Sequence, residues 1–540
     1  MMRLSRWPHS KIKNLEIRFE SPVTSHAVRG KGLRFVCPFV LAFLVSVSGC
    51  AGRPDSPLNV SPTNLTPGFD SSSAAIQLQQ DLNQLFGDTS APPAIWGVHV
   101  RSLDRNKTLY SLNSRTLLIP ASTLKIVTLA AAVEQLGWGF TFDTRLIATG
   151  PIKDGILNGD LIVQGSGDPT IDNENNLLAD WAKTLKTTGI TRITGRLIGD
   201  DRAMDAGATW PGSRLVNGWS WDDLIFGFAA PSSALTYHEN VVHLIITPGP
   251  AAGRTPSAHI EESASGLKLV NRTVTSPPHS ESSLRLLRLP GQAALELRGA
   301  IPIDAEPIRL PVSVDDPTLF FLRAFHQTLL QEGIEVMGDT VDIDEIDSDT
   351  VLQSEENGRL LLDHQSPPLS ELAIRMMKRS QNLYAETIFR ALGDKHGRTV
   401  GAGQTIVKEL LATWSIETDQ FIILDGSGLS RYNYITPEAL VRVLEHVRLN
   451  PQSATIFEAT LPVAGQDGTL AHRMKETKAT GNARAKTGTM SNVSGLSGFV
   501  HTRDGEKLVF AILVNNYKSQ SSAITRIIDR AVEQLAGFAR

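Results

Sequence analysis

Cysteine is scarce in this sequence, which has 540 residues but contains only Cys37 and Cys50. Cys37 lies in an N-terminal segment that we predict to be removed, so Cys50 would have no partner. A chain with one cysteine forms no internal disulfide and offers no cysteine cluster to a metal ion. We therefore expect no disulfide, no metal site and no cofactor in the mature protein.

Hydrophobic runs long enough to span a membrane are also missing from the leader. Its uncharged stretch FVCPFVLAFLVSVSG (35–49) follows a basic segment and has 15 residues, which suits the core of a signal peptide. The run Val47-Ser48-Gly49-Cys50 resembles a bacterial lipobox. We predict a lipoprotein signal peptide at 1–49, a lipid anchor on Cys50 that attaches the protein to a membrane, and a location in the periplasm or cell envelope. Ordinary cleavage beside an incidental cysteine is the alternative.

Positive charge is lacking once the leader is set aside. Residues 1–34 contain eight Lys or Arg against two Glu, a balance of +6, so the chain's total of −4 leaves −10 for the rest. An acidic chain has no basic surface with which to hold a phosphate backbone. Nucleic acid is therefore excluded as the main partner.

The remaining sequence divides into segments that differ in residue composition and in apolar periodicity. Residues 50–75 are rich in Pro, Ser, Thr and Asn and lack apolar periodicity, which predicts a flexible tether. Helical and strand patterns mix at 76–141 and 366–540, and we assign these segments to a catalytic domain of the α+β class. Short β-like runs separated by Gly, Pro and Asp dominate 142–365, where Thr318–Glu332 is a helical exception. We predict that this segment is a mostly β insertion.

A serine and a lysine three residues apart stand at the head of an apolar helical segment, Ala121–Leu136. Residues three apart share a helix face, so Ser122 could pass its proton to the amine of Lys125. Burial would lower the pKa of this amine and make it a base. The alternative is a lysine that reaches solvent from a helix end. Ser-x-x-Lys also occurs at 10–13 and 265–268, so the pattern alone decides little.

Two further motifs follow in the sequence. Ser380 and Asn382 form Ser-x-Asn, and their side chains can converge only where the chain turns between two helices. Ser-x-Asn also occurs at 111–113. Lys486-Thr487-Gly488 precedes the last predicted hairpin. On an edge strand, its glycine would let a substrate backbone approach, and its other side chains could bind a carboxylate. A simple glycine turn is the alternative.

The three motifs in this order are the signature of penicillin-binding proteins and serine β-lactamases. Four longer segments resemble the low-molecular-mass class C penicillin-binding proteins, family S13 of the D-alanyl-D-alanine carboxypeptidases: LYAETIFRALG (383–393), LDGSGLSRYNYITP (424–437), LPVAGQDGTL (461–470) and ARAKTGTMSNVSGLSGFV (483–500). This family carries extra domains between the first two motifs, and 254 residues separate Lys125 from Ser380 here.

The resemblance implies an antiparallel sheet flanked by helices, and a serine-type carboxypeptidase or endopeptidase that cleaves peptidoglycan stem peptides through an acyl-enzyme. It implies that Ser122 attacks the carbonyl of the penultimate D-alanine with Lys125 as general base. Ser380 would relay a proton to the leaving amine. Backbone N–H groups of Ser122 and Thr489 would form the oxyanion hole. β-Lactam antibiotics would acylate the same serine and act as covalent inhibitors.

The resemblance also implies the substrate-binding positions. Asn382 would hold the substrate amide, and Lys486 with Thr487 would bind the terminal carboxylate beside Gly488.

Two further positions are candidates for substrate recognition. Asp223, in the insertion, could reach the pocket that reads the cross-linking diamino acid, or it could be a carboxylate at a helix start. Arg431 could meet a substrate carboxylate or brace its loop. For nearby Asp425, we favour a role in ordering the glycine-rich turn that follows it over a role as a metal ligand.

Two other functions compete with the carboxypeptidase. A β-lactamase needs a second base for fast deacylation, and no obvious Glu-x-x-x-Asn loop stands between the motifs. A catalytically inactive peptidoglycan-binding protein of the envelope could use the same fold, although every motif side chain is present.

Overall fold

The computed structural model describes residues 68–87, 93–172, 175–205, 216–346, 358–394, 397–518 and 520–540. The predicted signal peptide, Cys50 and most of the predicted tether lie outside these ranges. No helix within the described ranges is both long enough and apolar enough to cross a membrane.

The helices begin largely where capping residues predict. In chain order they are α1 (Ser73–Phe86), α2 (Lys125–Gln135), α3 (Leu177–Thr187), α4 (Arg202–Asp205), α5 (Pro317–Gln331), α6 (Leu369–Lys378), α7 (Asn382–Ala391), α8 (Val400–Thr413), α9 (Pro437–Val447), α10 (Pro451–Thr460) and α11 (Ser521–Gly537). The side chains of Asp316 and Thr436 cap α5 and α9 by accepting N–H bonds from Leu319 and Ala439. Proline follows each cap, where its missing N–H costs nothing.

The strands form several separate sheets. They are β1 (Ile95–Ser102), β2 (Lys107–Leu112), β3 (Asp143–Ala148), β4 (Ile152–Lys153), β5 (Ile156–Leu157), β6 (Leu161–Gly165), β7 (Arg192–Ile193), β8 (Leu197–Asp200), β9 (Val241–Thr247), β10 (Ser257–Ile260), β11 (Lys268–Ser276), β12 (Arg285–Leu287), β13 (Ala294–Pro302), β14 (Ile308–Ser313), β15 (Glu335–Val336), β16 (Thr340–Asp342), β17 (Arg359–Gln365), β18 (Phe421–Ile422), β19 (Tyr434–Ile435), β20 (Arg484–Met490), β21 (Val493–His501) and β22 (Lys507–Asn515).

A five-stranded antiparallel sheet, ordered β2-β1-β22-β21-β20, is packed between helices. Strand β22 shows how its sequence serves both faces, because successive side chains of a strand point to opposite sides. Leu508, Phe510 and Ile512 join the core formed with α1 and α11, whereas Val509 and Ala511 join the core formed with α2 and α9. This arrangement is the predicted antiparallel sheet flanked by helices, and the predicted fold class is confirmed.

Residues 143–365 contribute four further sheets, ordered β10-β9-β14, β11-β13-β12, β15-β7-β5-β4 and β16-β8-β6-β3-β17. A separate hydrophobic core, whose fully buried members run from Leu146 to Ile334, fills the space among them. Strands β3 and β17 pair antiparallel, with Asp143 opposite Gln365 and Ala148 opposite Arg359. The chain therefore leaves and returns at neighbouring points. This pairing is what an insertion requires, and we propose 142–365 as its limits.

Helix α3 lies in this insertion and was not predicted. Its buried residues Leu178, Trp181, Ala182 and Leu185 follow the i, i+3, i+4, i+7 pattern of an amphipathic helix. However, Asn176 at the N-cap adopts a left-handed conformation and makes no side-chain cap bond, so α3 begins without the usual side-chain cap.

Helix α1 begins at Ser73, three residues before the predicted start of the catalytic domain at residue 76. The Ser72 hydroxyl accepts the Ala75 N–H and sets this earlier start. Asp70 forms an ion pair of 2.6 Å with Arg540. The predicted tether 50–75 therefore overlaps the folded part of the chain at its C-terminal end, because polar residues there cap and pair instead of remaining solvated.

Candidate active site

Ser122 lies on a 3-10 turn, Ala121–Leu124, that leads directly into α2. The sequence predicted a continuous α-helix over Ala121–Leu136. The tighter turn aligns residues three apart even better, because a 3-10 helix has 3.0 residues per turn. Lys125 Nζ donates to Ser122 Oγ at 2.8 Å.

Lys125 is fully buried, and its amine is surrounded by oxygen atoms. Besides Ser122, Nζ donates to Asn382 Oδ1 at 2.6 Å and to the Ser427 carbonyl at 2.8 Å. Burial lowers the pKa of Lys125 from 10.5 to about 7, although the carboxylates of Asp425 and Glu386 oppose the shift. Desolvation of the amine lowers its pKa by more than the attraction of the two carboxylates raises it. An appreciable fraction of this amine is therefore neutral at neutral pH and able to accept a proton.

The Ser-x-Asn motif occupies the turn between α6 and α7, which confirms the prediction that it breaks a helix. Ser380 takes a left-handed conformation with φ of 59°, and Asn382 begins α7. Asn382 Oδ1 faces Lys125, while its Nδ2 donates to the carbonyl of Phe228 at 2.7 Å. The motif therefore joins the Ser122 turn to a segment of the insertion.

Lys486-Thr487-Gly488 lies on β20, the edge strand of the five-stranded sheet, as predicted. Lys486 Nζ donates to Ser380 Oγ at 2.7 Å, which brings the second and third motifs together. Burial, with a smaller contribution from the charge of Lys125, holds the pKa of Lys486 well below its usual range. Thr487 Oγ1 donates to Thr469 Oγ1 at 2.8 Å. Thr469 was not singled out in the sequence.

The packing of the protein itself requires a residue without a side chain at Gly488, in addition to the predicted approach of a substrate backbone there. A Cβ at this position would lie 2.6 Å from the Pro120 carbonyl oxygen and 3.2 Å from Thr123 Cγ2. The edge strand therefore packs directly against the turn that carries Ser122. Thr489, the next residue, is exposed at the edge of β20.

Glu386 on α7 is a buried residue that the sequence analysis missed. Its carboxylate accepts the Ser427 N–H at 2.8 Å and so holds the loop whose carbonyl contacts Lys125. Burial and the nearby Asp425 raise its pKa to about 7. A single acidic residue in the apolar run LYAETIF was the available signal.

Asp425 orders its turn as predicted. It accepts N–H bonds from Gly428 at 2.8 Å and Ser430 at 2.6 Å, and it also accepts from Asn433 and from the indole of Trp219.

Asp223 and Arg431 lie close enough at the edge of this loop for their charges to interact. The insertion reaches the loop through the Gly218 carbonyl, which accepts the Arg431 N–H at 3.0 Å. Burial and the neighbouring Asp222 raise the pKa of the Asp223 carboxyl, and the charge of Arg431 partly opposes this shift. Asp223 lies in a turn instead of at a helix start. Among the described hydrogen bonds, none joins either side chain to the three motifs.

Ser122 and Lys125 are thus joined to Asn382, and Lys486 to Ser380, at the junction of a helix, a turn and an edge strand. A sheet flanked by helices with these three motifs in contact defines the penicillin-recognising serine acyltransferases, the class that includes penicillin-binding proteins and serine β-lactamases.

Comparison with known proteins narrows this class. The model of the D-Ala-D-Ala carboxypeptidase 3 (S13) family matches residues 78–536, and the chain belongs to this family. A D-alanyl-D-alanine carboxypeptidase from Actinomadura sp. (strain R39) is 33% identical, over 87% of this chain and 86% of the relative. D-alanyl-D-alanine carboxypeptidase DacB from Haemophilus influenzae is 28% identical, over 78% of this chain and 86% of the relative.

A solved structure supports the same assignment. The crystal structure of penicillin binding protein 4 from Haemophilus influenzae superposes with a TM-score of 0.75 at 26% identity, covering 85% of this chain and 99% of that one. The same protein complexed with a β-lactam gives a TM-score of 0.70. The family predicted from the sequence is confirmed.

Proposed function

We propose that this chain is a serine-type D-alanyl-D-alanine carboxypeptidase that acts on peptidoglycan stem peptides through an acyl-enzyme on Ser122. The observation that carries the proposal is the 2.8 Å contact between Ser122 Oγ and the amine of Lys125, whose pKa burial lowers to about 7. Membership of the S13 family supplies the substrate class.

Acylation would begin when Lys125 Nζ takes the proton of Ser122 and Oγ attacks the carbonyl carbon of the penultimate D-alanine. Backbone N–H groups of Ser122 and Thr489 would stabilise the oxyanion. As the peptide bond breaks, Ser380 would pass a proton to the departing amine, and Lys486, 2.7 Å from Ser380 Oγ, would replenish it. Water would then attack the ester and pass one proton through Ser380 to Lys486. Lys125 would return its proton to Ser122 Oγ as the shortened peptide leaves as the acid.

Substrate binding would use the polar groups of the edge strand. Lys486 and Thr487 would bind the terminal carboxylate, and a carboxylate beside Lys486 would favour the charged form of that buried amine. Asn382 would hold the substrate amide. Asp223 of the insertion and Arg431, whose charges interact, would contact the charged groups of the cross-linking diamino acid.

The same chemistry extends to cross-links and to β-lactams. An endopeptidase cleaves the bond after a D-alanine whose amine partner belongs to a second stem peptide, so it needs the same acylation step. A β-lactam offers a strained amide to Ser122 and would leave a slowly hydrolysed ester.

Purified muropeptides followed by mass spectrometry test this proposal. We expect loss of one D-alanine from pentapeptides and splitting of cross-linked dimers, both abolished in Ser122→Ala. Ser265→Ala is the matched control, because Ser265 also heads a Ser-x-x-Lys sequence but Lys268 is exposed at the start of β11. Rapid turnover of a chromogenic cephalosporin without release of D-alanine would favour a β-lactamase. A folded wild type that neither cleaves nor binds fluorescent penicillin would favour an inactive receptor.

We also propose that the mature protein is lipid-anchored through Cys50 in the cell envelope. The uncharged run 35–49 and the lipobox-like residues before Cys50 support this location. Incorporation of radiolabelled palmitate by the wild type and its loss in Cys50→Ala would test the anchor. Equal labelling of both proteins would contradict it.

A further inference from the structure

Two histidines and a glutamate converge on one side of the sheet β10-β9-β14 in the insertion. His238 lies on the turn that precedes β9, His243 lies on β9, and Glu262 follows β10, the neighbouring strand. The backbone fixes their approach, since the Glu261 N–H donates to the His243 carbonyl and the His243 N–H donates to Glu262 Oε2 at 2.7 Å.

The Nδ1 atom of each imidazole points toward the same carboxylate oxygen of Glu262. Glu262 Oε1 lies 3.0 Å from His243 Nδ1 and 3.7 Å from His238 Nδ1. The Val241 carbonyl oxygen lies 3.0 Å from His238 Nδ1. Ligands about 2.0–2.1 Å from a tetrahedral Zn²⁺ are separated from one another by roughly 3.3 Å. The observed separations bracket this value, so small side-chain movements would bring the donors to metal distances.

The chemistry of the donors selects the ion. Two imidazole nitrogens and one carboxylate are a ligand set that Zn²⁺ uses in proteins, whereas Mg²⁺ and Ca²⁺ prefer oxygen ligands throughout. The three side chains are largely screened from solvent, with 25%, 16% and 14% exposure for His238, His243 and Glu262. A second carboxylate, Glu261, lies 3.9 Å from His243 Nδ1 and adds negative charge beside the group.

We propose that His238, His243 and Glu262 bind one Zn²⁺ ion, with the Val241 carbonyl or a water molecule as the fourth ligand. Binding replaces the protons that the two Nδ1 atoms share with oxygen in the metal-free protein. Because cysteine is nearly absent, we expected no metal site from the sequence. The ligands become neighbours only when β9 and β10 pair.

The ion would hold a turn that touches the catalytic motifs. His238, Glu239 and Asn240 all have positive φ, between 51° and 56°, which is a conformation that residues other than glycine adopt reluctantly. Glu239 extends from this turn to pair with Arg375 and to accept a hydrogen bond from Gln381, the middle residue of Ser-x-Asn. Zinc at His238 is therefore a structural ion that fixes the turn.

Metal analysis of the intact protein tests the proposal. The purified chain is stripped with a chelator, incubated with Zn²⁺, desalted and measured by atomic emission. We expect one equivalent in the wild type, and affinity at least tenfold weaker in both His243→Ala and Glu262→Gln. Co²⁺ in place of Zn²⁺ should give the visible absorption of a tetrahedral site, which both variants should lose.

His279→Ala is the matched control, because His279 pairs with Asp304 at 2.7 Å in the same insertion but, among the described residues, is not clustered with a second histidine. This variant should retain a full equivalent of zinc. Labelling by fluorescent penicillin confirms that each protein is folded. A folded wild type without bound zinc would overturn the proposal, as would a full equivalent in both His243→Ala and Glu262→Gln.

Discussion

The surroundings of a residue, more than its spacing in the sequence, determine its chemistry in this protein. Ser122–Lys125 and Ser265–Lys268 share one pattern, but Lys125 is fully buried and Lys268 is exposed. Removal of water destabilises the charged form of Lys125 by more than two nearby carboxylates stabilise it. The exposed Lys268 amine keeps its contact with water.

The pH dependence of acylation should report this lysine. With a pKa of about 7 for Lys125, the neutral fraction falls tenfold for each pH unit below 7 and is nearly complete above 8. The acylation rate with fluorescent penicillin should therefore rise with pH through about 7 and then level. Lys125→Arg, which stays protonated, should slow acylation by about a thousandfold or more.

Glu386 also has a pKa of about 7, so Glu386→Gln serves as the control. If Lys125 is the titrating base, the acylation rate of this variant should still fall as the pH drops. The midpoint of this fall should shift to lower pH, because one carboxylate that raises the lysine pKa is gone. An acylation rate that no longer falls at low pH in Glu386→Gln would assign the titration to the glutamate instead.

At the scale of elements, the active site depends on close contacts between segments that are distant in sequence. Strand β20 touches the turn that carries Ser122, and the insertion touches α7 through Phe228 and Asn382. Such contacts leave no room for extra atoms, because protein interiors are packed as densely as organic crystals.

Gly488→Ala should separate strand β20 from the Ser122 turn. Its new Cβ would stand 2.6 Å from the Pro120 carbonyl, so one of the two segments must shift. We expect acylation to slow by about a hundredfold and the free energy of unfolding to fall by about 1–3 kcal/mol. Penicillin labelling and thermal denaturation provide the measurements. Gly401→Ala on α8, where a Cβ meets nothing within 4 Å, is the control and should retain wild-type labelling.

The turn His238–Asn240 is a second element whose position should affect catalysis. Glu239→Gln removes the charge that pairs with Arg375, so we expect acylation about three- to tenfold slower and a loss of about 1–2 kcal/mol of stability. Glu335→Gln breaks an exposed pair with Arg192 and should change neither quantity. Equal acylation rates in the wild type and Glu239→Gln would show that this turn does not position Ser-x-Asn.

For the whole molecule, the separate core of the insertion and the pairing of β3 with β17 suggest that 142–365 folds largely by its own contacts. This segment also supplies Asp223 and the Phe228 carbonyl at the active-site edge. The insertion therefore combines a structural core with one edge that contacts the Ser-x-Asn motif.

Expression of residues 142–365 alone tests this division. Its two ends are neighbours in the structure, so the fragment should show a cooperative thermal transition by circular dichroism. A fragment without a cooperative transition would mean that the insertion depends on the rest of the chain. A matched fragment of equal length that starts inside the insertion, at residue 200, should not fold because it lacks β3 and β6.

The sequence alone was sufficient for the family and the fold class, and it indicated that Ser380 and Asn382 can converge only where the chain turns between two helices. These features depend on signals that can be read along the chain: the order of the three motifs and the longer segments that resemble the S13 family. Helix α3 was missed although its buried residues follow helical spacing. The predicted roles of the site residues stay predictions, now supported by the contacts among the motifs.

Only the tertiary structure decided which of the repeated motifs meet. Lys125 contacts Asn382 across 257 positions of sequence, and Lys486 contacts Ser380 across 106. It also revealed Glu386 beneath the lysine and the cluster of His238, His243 and Glu262. The physical reason is the same in each case: desolvation and contact distance depend on what packs around a side chain, and the packing partners lie far away along the chain.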